Sequence, residues 1–214
     1  MSRPAAPDTG GTTTRLSIFP LPGALLFPGL HLPLHIFEPR YRALVTDAMA
    51  RDRRIGMIQP KQGTGEPPAL YDIGCVGRIA EVEALDDGRY NLVLEGLSLF
   101  RVVRELDVTT AFRQVEAVLV PSPTDETLSL GRRSALEMES RAFADAHGYA
   151  VDWDQVGRLD DESLVNGIAQ IAPFDAAAKQ ALLEAEGVEA RADLIIQLLQ
   201  FFGRHDGGDR VTLQ

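Results

Sequence analysis

Three features are scarce or missing in this 214-residue chain, and each bears on the compartment in which the protein acts. It has one cysteine, Cys75, so it cannot form an internal disulfide, which is typical of proteins kept in a reducing cytoplasm. No run approaches the roughly 18 consecutive apolar residues of a transmembrane helix. The first residues also lack the apolar segment of a secretory signal. We therefore expect a cytoplasmic protein with no membrane partner.

Positive charge is also scarce. Lys and Arg together number 21 against 31 Asp and Glu, a net charge of -10, and only Lys61 and Lys179 are lysines. The densest basic run is the short segment from Arg51 to Arg54. An acidic chain without a basic patch repels a phosphate backbone, so the composition argues against nucleic acid as a partner. The apolar content of 45% is ordinary for a globular protein of one or two domains.

The first half of the chain has the pattern of a β-rich unit that contains one helix. Prolines interrupt the apolar runs between residues 15 and 37, which indicates edge or bent strands. After residue 38 the apolar side chains recur at helical spacing, at Tyr41, Leu44, Val45, Ala48 and Met49. The dipeptide Asp87-Gly88 predicts a hairpin with a type I′ turn. A later strand is predicted to bury one face, formed by Val115, Ala117 and Leu119.

From Asp125 onward the pattern becomes helical, and four helices are predicted. The first spans residues 125–148, is capped by Thr124 or Asp125 and is weakened by Gly131. The second is capped near Asp160. For the other two we expect Asp175 as the N-cap and Gly187 as the C′ residue of the third, and Gly203 as the end of the fourth.

These patterns predict an α+β fold with four segments. Residues 1–14 and 204–214 are expected to be disordered tails. Residues 15–121 form the β-rich part with its inserted helix, and residues 122–203 form an all-helical part. Strands and helices are segregated along the chain, so an alternating βαβ sheet is not expected.

The segment from Leu32 to Val45 is rich in chemically active side chains. Glu38, Pro39 and Arg40 fit a structural junction between a strand and a helix, because proline suits the first helical position and a carboxylate suits the helix N-terminus. His31 and His35 share one face of a strand, so a metal site is an alternative if Glu38 or Cys75 supplied a third ligand. Nothing in the pattern brings a third ligand there, and we predict no metal.

Catalytic motifs are missing elsewhere in the sequence. There is no G-x-x-x-x-G-K-[ST] phosphate loop and no G-x-S-x-G nucleophile turn. Cys75 begins a predicted strand and is interpreted as a small buried hydrophobe. A hydrolase that uses Glu38 and His35 is the remaining catalytic alternative. The prediction is that the chain is not an enzyme and needs no cofactor.

Several short motifs occur together between residues 16 and 203: Leu21-Pro22, Phe27-Pro28-Gly29, Pro33-Leu34, Gly74, Gly77, the Asp87-Gly88 turn, Glu95-Gly96, Arg101 and the helical segment 179–200. As a set they resemble the N-terminal domain of Lon proteases. The version "PLHIFEPRYR" is most similar to stand-alone bacterial proteins made of this domain alone. The ATPase and Ser-Lys protease domains of full-length Lon are not expected in this chain.

The resemblance implies a PUA-like pseudo-barrel followed by a helical subdomain. It also implies a non-catalytic module that binds unfolded polypeptides or a protein partner such as a protease, in proteolysis or protein quality control. Phe37, Tyr41 and Phe112 are the candidate polypeptide contacts. The alternative function is nucleic-acid binding, because other PUA-like barrels bind RNA, although the acidic composition argues against it.

Overall fold

Six strands of the first half of the chain form one mixed sheet that closes on itself. The structure is a computed structural model that describes residues 12–63, 65–121 and 126–205. The strands are β1 (Thr13–Pro20), β2 (His31–Ile36), β3 (Arg54–Ile58), β4 (Ile73–Ala84), β5 (Tyr90–Glu105) and β6 (Gln114–Val120). Their order is β2-β5-β4-β3-β1-β6, and β6 also pairs with β5. This extra pairing closes a ring of β5, β4, β3, β1 and β6, and β2 extends it at one side.

The closure depends on the length and the bends of β5. Its first half pairs with β2, and its second half, from Leu99 to Glu105, pairs with β6. Bulges in the β4–β5 and β5–β6 pairings bend the ribbon so that one strand serves two neighbours. β1 and β3 run parallel and the other pairs are antiparallel. The result is the α+β fold with a pseudo-barrel that the resemblance implied.

Helix α1 (Pro39–Met49) lies between β2 and β3 in the chain and covers one side of the sheet. Tyr41, Leu44, Val45 and Ala48 are its buried residues, as their spacing predicts. The ring of Tyr41 packs 4.1 Å from that of Phe19, centroid to centroid. A second apolar cluster fills the barrel around Ile18 and Phe100, which are fully buried. Burial of each such side chain contributes roughly 1.5–3 kcal/mol.

The second part of the chain is helical, and the two parts are separate compact units divided between residues 122 and 123. We call them the β-rich unit (described residues 12–121) and the helical unit (described residues 126–205). The helices are α2 (Leu130–His147), α3 (Trp153–Val156), α4 (Asp161–Ile171), α5 (Ala176–Glu184) and α6 (Gly187–His205). No helix in the described ranges is both long and apolar enough to cross a membrane.

Helix boundaries follow capping side chains, and two of them were predicted. Asp160 accepts a hydrogen bond from the Ser163 amide and Asp175 accepts one from the Ala178 amide, so these residues are the N-caps of α4 and α5. The short helix α3 was not predicted. It is only one turn long and is capped by Asp152, which accepts from the amide of Gln155.

Three helix ends differ from the sequence prediction. α2 begins at Leu130 with Ser129 as its N-cap, because the preceding backbone and side chains are engaged elsewhere: the Leu128 amide donates to Asp161 and Glu126 accepts from the Val188 amide. The predicted caps Thr124 and Asp125 lie outside the described residues. Gly187 starts α6 with φ of 85° instead of ending α5, and α6 continues through Gly203 to His205.

Two strand details also differ. The turn between β4 and β5 is not type I′. A type I′ turn needs a positive φ at both central residues, and here only Gly88 has one, at 78°. The Leu85 amide donates to the Arg89 oxygen and the Gly88 amide donates to the Leu85 oxygen. The loop therefore has three residues, starting at Asp86, instead of the two of a type I′ turn. In β6, Val115 and Ala117 are buried, but Leu119 near the end of the strand is exposed. Side chains on this face are buried only where the barrel covers the strand.

The predicted tail boundaries also shift where the structure describes them. β1 begins at Thr13, which pairs with Val118, and Thr14 pairs with Ala117, so the strand includes two residues assigned to the N-terminal tail. α6 likewise includes residues 204 and 205. The remainder of both predicted tails lies outside the described residues.

Candidate functional site

Strand β2 is the edge of the sheet. Six residue pairs, from His31↔Glu95 to Ile36↔Tyr90, join it to β5, and no other strand in the described ranges pairs with it. Pro33 lies in the middle of β2 and has no N–H to donate, which is tolerated at an edge. An open edge presents backbone groups to which an extended chain can add as a further strand.

The inner face of β2 fixes the strand to the β-rich unit. Ile36 is buried, and Leu32 and Leu34 pack against the cluster under α1. The outer face carries His31, Pro33 and His35, which are exposed. β5 therefore holds β2 along one edge, and the apolar cluster holds its inner face. The outer face and the second edge of β2 remain open.

A polar network on the outer face was not predicted from the sequence. The His35 ring bonds through Nδ1 to Asn91 Oδ1 at 2.7 Å, and Asn91 Nδ2 donates to Glu83 Oε2 at 2.8 Å. Arg89 Nη1 lies 3.2 Å from His35 Nε2 and its Nε donates to Asp87. These partners fit the tautomer with the proton on Nδ1. Only the β2–β5–β4 register brings these side chains together, so no local motif could have shown it.

A depression of about 530 Å³ lies next to β2. Its lining comes from three strands: Pro33, Leu34, His35, Glu81, Val82, Glu83, Asn91, Leu92 and Val93. Two carboxylates and several apolar groups thus border the same depression on the face of the sheet formed by β2, β5 and β4. This chemistry suits a peptide whose side chains are apolar or carry hydrogen-bond donors.

The three candidate aromatic contacts fall in different environments. Phe37 follows β2 directly and is 60% exposed, with its ring 6.2 Å from the ring of His35. Tyr41 and Phe112 are each 6% exposed and belong to the core cluster under α1. The expectation of surface contacts is therefore revised for these two, because their rings support the fold from within. Of the three rings, only that of Phe37 is exposed.

The junction residues after Phe37 are engaged in structure. Glu38 is the N-cap residue of α1, and Pro39 occupies the first helical turn. The Glu38 carboxylate pairs with Arg40 Nη2 at 2.8 Å, and the Arg40 guanidinium lies 4.5 Å above the Tyr41 ring. Glu38 is thus paired with Arg40 and His35 with Asn91 and Arg89. The structure does not bring Glu38 and His35 together as an acid–base pair.

Cys75 is buried in β4, and burial raises the pKa of its thiol to about 12 from about 9. The described residues contain no group of three or more His, Cys, Asp or Glu side chains that could hold a metal ion. Cys75 therefore behaves as the small core residue that the sequence predicted.

The buried thiol gives a kinetic prediction. The thiolate is the reactive form, so at pH 8 a disulfide reagent should modify the folded chain about 1,000-fold more slowly than the unfolded chain. Because the unfolded thiol ionises at the lower pH, raising the pH above about 9 should favour unfolding. The check is the labelling rate of Cys75 with and without denaturant. Rapid labelling of the folded chain would contradict a buried Cys75.

The chain thus combines a closed mixed sheet that has one edge strand with a separate helical unit. The family model described as the ATP-dependent protease La (LON) substrate-binding domain matches residues 15–200. The chain belongs to this family.

Curated relatives and solved structures agree with the family. The chain is 31% identical over 196 residues to Lon protease 2 of Myxococcus xanthus and 29% identical over 208 residues to Lon protease 2 of Sorangium cellulosum. These matches cover 86% and 92% of this chain but only 23% and 25% of the relatives, so the chain spans about a quarter of their length.

The fold recurs in two solved structures. A Lon N-terminal domain protein from Xanthomonas campestris has a TM-score of 0.66 at 24% identity, over 88% of this chain and 98% of that one. The N-terminal domain of Mycobacterium avium complex Lon protease has a TM-score of 0.67 at 17% identity, over 87% and 98%. At these identities the structures support the fold alone.

Proposed function

We propose that the chain is a non-catalytic module that binds unfolded polypeptides through the β2 edge and Phe37. The observation that supports this most directly is the open edge with an exposed aromatic ring at its end, in a chain of the Lon substrate-binding domain family. The module would act in the cytoplasm, in proteolysis or protein quality control. It needs no cofactor for this role.

The recognition would combine main-chain and side-chain contacts. An extended segment that adds to β2 gains hydrogen bonds that do not depend on its sequence, which suits a module that must accept many polypeptides. Because Pro33 lacks an N–H, an added strand would form its backbone hydrogen bonds with the residues before and after Pro33. The proline would also make the edge a weak template for self-association. Phe37 would supply an apolar anchor, and Glu81 and Glu83 would favour donor or basic side chains.

A protein partner is the second part of the proposal. The similar curated proteins are named Lon proteases and are about four times longer than the matched segment. A binding module of this family would present a captured polypeptide to a protease. Such a partner would meet a surface other than the β2 edge, because the edge must stay open for the captured chain.

The test is an anisotropy titration of a labelled, permanently unfolded protein with the purified chain. We expect saturable binding, and we expect Phe37→Ala to weaken it about tenfold, because truncating an anchoring aromatic residue removes more than about 1 kcal/mol. Leu119→Ala is the matched control, since Leu119 is also exposed but lies on β6. Equal weakening by both variants, or no binding at all, would refute the assignment of this site.

Two comparators separate main-chain pairing from other modes of binding. A bound peptide should lose affinity when alternate backbone amides are methylated, because methylation removes the donors that pair with an edge strand. Labelled single-stranded RNA should not bind with micromolar affinity. Salt-dependent binding of RNA instead of the unfolded protein would favour the nucleic-acid alternative.

A further inference from the structure

The helical unit contains an apolar groove that the β2 site does not use. It has a volume of about 490 Å³ and is formed by α2, α3, α4 and the segments that join them, with Leu199 of α6 also in its lining. Phe143, Trp153 and Ile168 are among the lining side chains. This volume lies within the range of about 300–1,000 Å³ that is usual for ligand-binding clefts.

The rim of the groove leaves large apolar side chains in contact with solvent. Ile171 at the end of α4 is 80% exposed, and Tyr149, Val151 and Leu159 are also exposed. All four line the groove. Exposed apolar side chains that lie together often mark an interaction surface, whereas single scattered ones do not.

One polar group in the lining has no partner. The Ser140 side chain belongs to α2 and the residue is 9% exposed, yet in the described part of the chain its Oγ makes no hydrogen bond. A buried hydroxyl without a partner destabilises the fold by about 1–3 kcal/mol. Because this Oγ is itself inaccessible to solvent, it lies beneath the surface of the groove, and the apolar lining defines the site.

Charge around the groove indicates the kind of ligand. The described residues 126–205 contain fourteen Asp and Glu but seven Lys and Arg, whereas residues 12–121 are nearly balanced, with thirteen against twelve. Four exposed acidic residues adjoin lining residues in the chain, Asp145, Asp152, Asp154 and Asp160, against two exposed cations, Arg141 and Arg158. Arg141, a neighbouring cation, is stacked on Trp153 at 4.5 Å. The groove is therefore apolar inside and lies in the strongly acidic unit.

We infer that this groove binds a basic amphipathic helix of a protein partner. Such a helix places apolar side chains at i, i+3, i+4 and i+7 into a groove and leaves Lys and Arg around it, where the acidic unit attracts them. The ligand differs from that of the β2 edge, which takes extended chains through backbone bonds.

Gly167 offers a way to block the groove without harming the fold. It lies within α4 and lines the groove, and a Cβ added there would meet nothing within 4 Å. Gly167→Leu should fill the space that an anchoring side chain needs, and it should also favour the helix, since glycine is a poor helix former. Gly167→Ala is the matched control, because it makes the same backbone change with a much smaller side chain.

The probe is a fluorescent peptide of about 18 residues with Leu at the i, i+3, i+4 and i+7 positions and Lys elsewhere. We expect saturable 1:1 binding that weakens at least tenfold in Gly167→Leu and less than threefold in Gly167→Ala. A peptide with Glu in place of Lys should bind at least tenfold more weakly. Phe37→Ala should leave all these affinities unchanged, which separates this site from the β2 edge.

Three results would overturn the inference. The first is equal binding of the Lys peptide to the wild type and to Gly167→Leu, because the peptide would then bind elsewhere. The second is equal binding of the Glu peptide, because charge would then play no part. The third is a wild-type dimer in light scattering that Gly167→Leu converts to a monomer, because the occupant would then be a second copy of the chain. Circular dichroism of both variants verifies that they remain folded.

Discussion

Gly96→Ala is expected to lower the free energy of unfolding of the β-rich unit by about 3 kcal/mol, the upper part of the usual range for overpacking. A Cβ at Gly96 would lie 2.0 Å from the carbonyl oxygen of Phe27 and 2.7 Å from its carbonyl carbon. Both are backbone atoms, so no side-chain rotation can relieve the clash. The loop that contains Phe27 must move or the strand must bend.

The same contact holds the start of the β2 edge. The Gly29 amide donates to the Gly96 oxygen at 2.9 Å, and the Gly96 amide donates to the Leu30 oxygen at 2.8 Å. Displacing this loop loosens the segment that leads into His31. Gly96→Ala should therefore also weaken binding of the unfolded polypeptide, even though Gly96 itself is buried.

Cys75 protection is the measurement for this variant, because the thiol is buried in the same unit. The denaturant concentration at which Cys75 becomes accessible to labelling should be lower in Gly96→Ala than in the wild type. Gly63→Ala is the control, since a Cβ at Gly63 would meet nothing within 4 Å. A shift for Gly96→Ala no larger than that of the control would show that the close approach to Phe27 is not rigid.

The features that local sequence predicts are those set by a few neighbouring residues. The stripe of α1 follows from helical spacing alone, and the caps Asp160 and Asp175 each bond an amide three residues later. The burial of Cys75 likewise follows from a short apolar strand. These interactions need no knowledge of what lies across the sheet.

Features set by distant pairing escaped the sequence. The loop at Gly88 depends on the register between Leu85 and Arg89, which the dipeptide Asp87-Gly88 does not fix. The exposure of Leu119 depends on where the barrel ends. The open edge of β2 and the network around His35 exist because β2 pairs with a strand more than 50 residues away.

The candidate site was predicted only in part for the same reason. Phe37, Tyr41 and Phe112 are aromatic residues in β-rich surroundings, and composition cannot tell an exposed ring from a buried one. Tyr41 lies on the inner stripe of α1, whereas Phe37, just before the helix, is 60% exposed. The resemblance named three aromatic residues, and the packing of the folded unit decides which of their rings is exposed.

Arg191→Leu is expected to lower the free energy of unfolding of the helical unit by about 2–6 kcal/mol, because two buried acceptors each lose a donor at about 1–3 kcal/mol. Arg191 is buried, and burial lowers the pKa of its guanidinium, while the charges of Glu162 and Glu126 act in the opposite direction. Nε donates to the Leu182 oxygen at 2.9 Å and Nη1 donates to Asn166 Oδ1 at 2.8 Å. Nη2 donates to the Ala185 oxygen at 3.3 Å.

One guanidinium thus joins the end of α5, the middle of α4 and the start of α6. Leucine would fill much of the volume but would leave Asn166 Oδ1 and the Leu182 oxygen without this donor in a buried place, which is the costly part of losing a hydrogen bond. Arg191→Lys keeps a charge but not the planar fork that reaches three acceptors, so it should recover only part of the stability. The expected order of stability is Arg, then Lys, then Leu.

Trp153 fluorescence during denaturant unfolding measures this effect, because the single tryptophan lies in the helical unit. Arg158→Ala is the matched control, since Arg158 is exposed and its loss should change stability by no more than about 0.5 kcal/mol. If Arg191→Leu proves as stable as the wild type, the neighbouring oxygens must find other donors, and α4, α5 and α6 do not depend on the guanidinium. A loss of several kcal/mol would make Arg191 the polar link on which the groove-forming helix α4 depends.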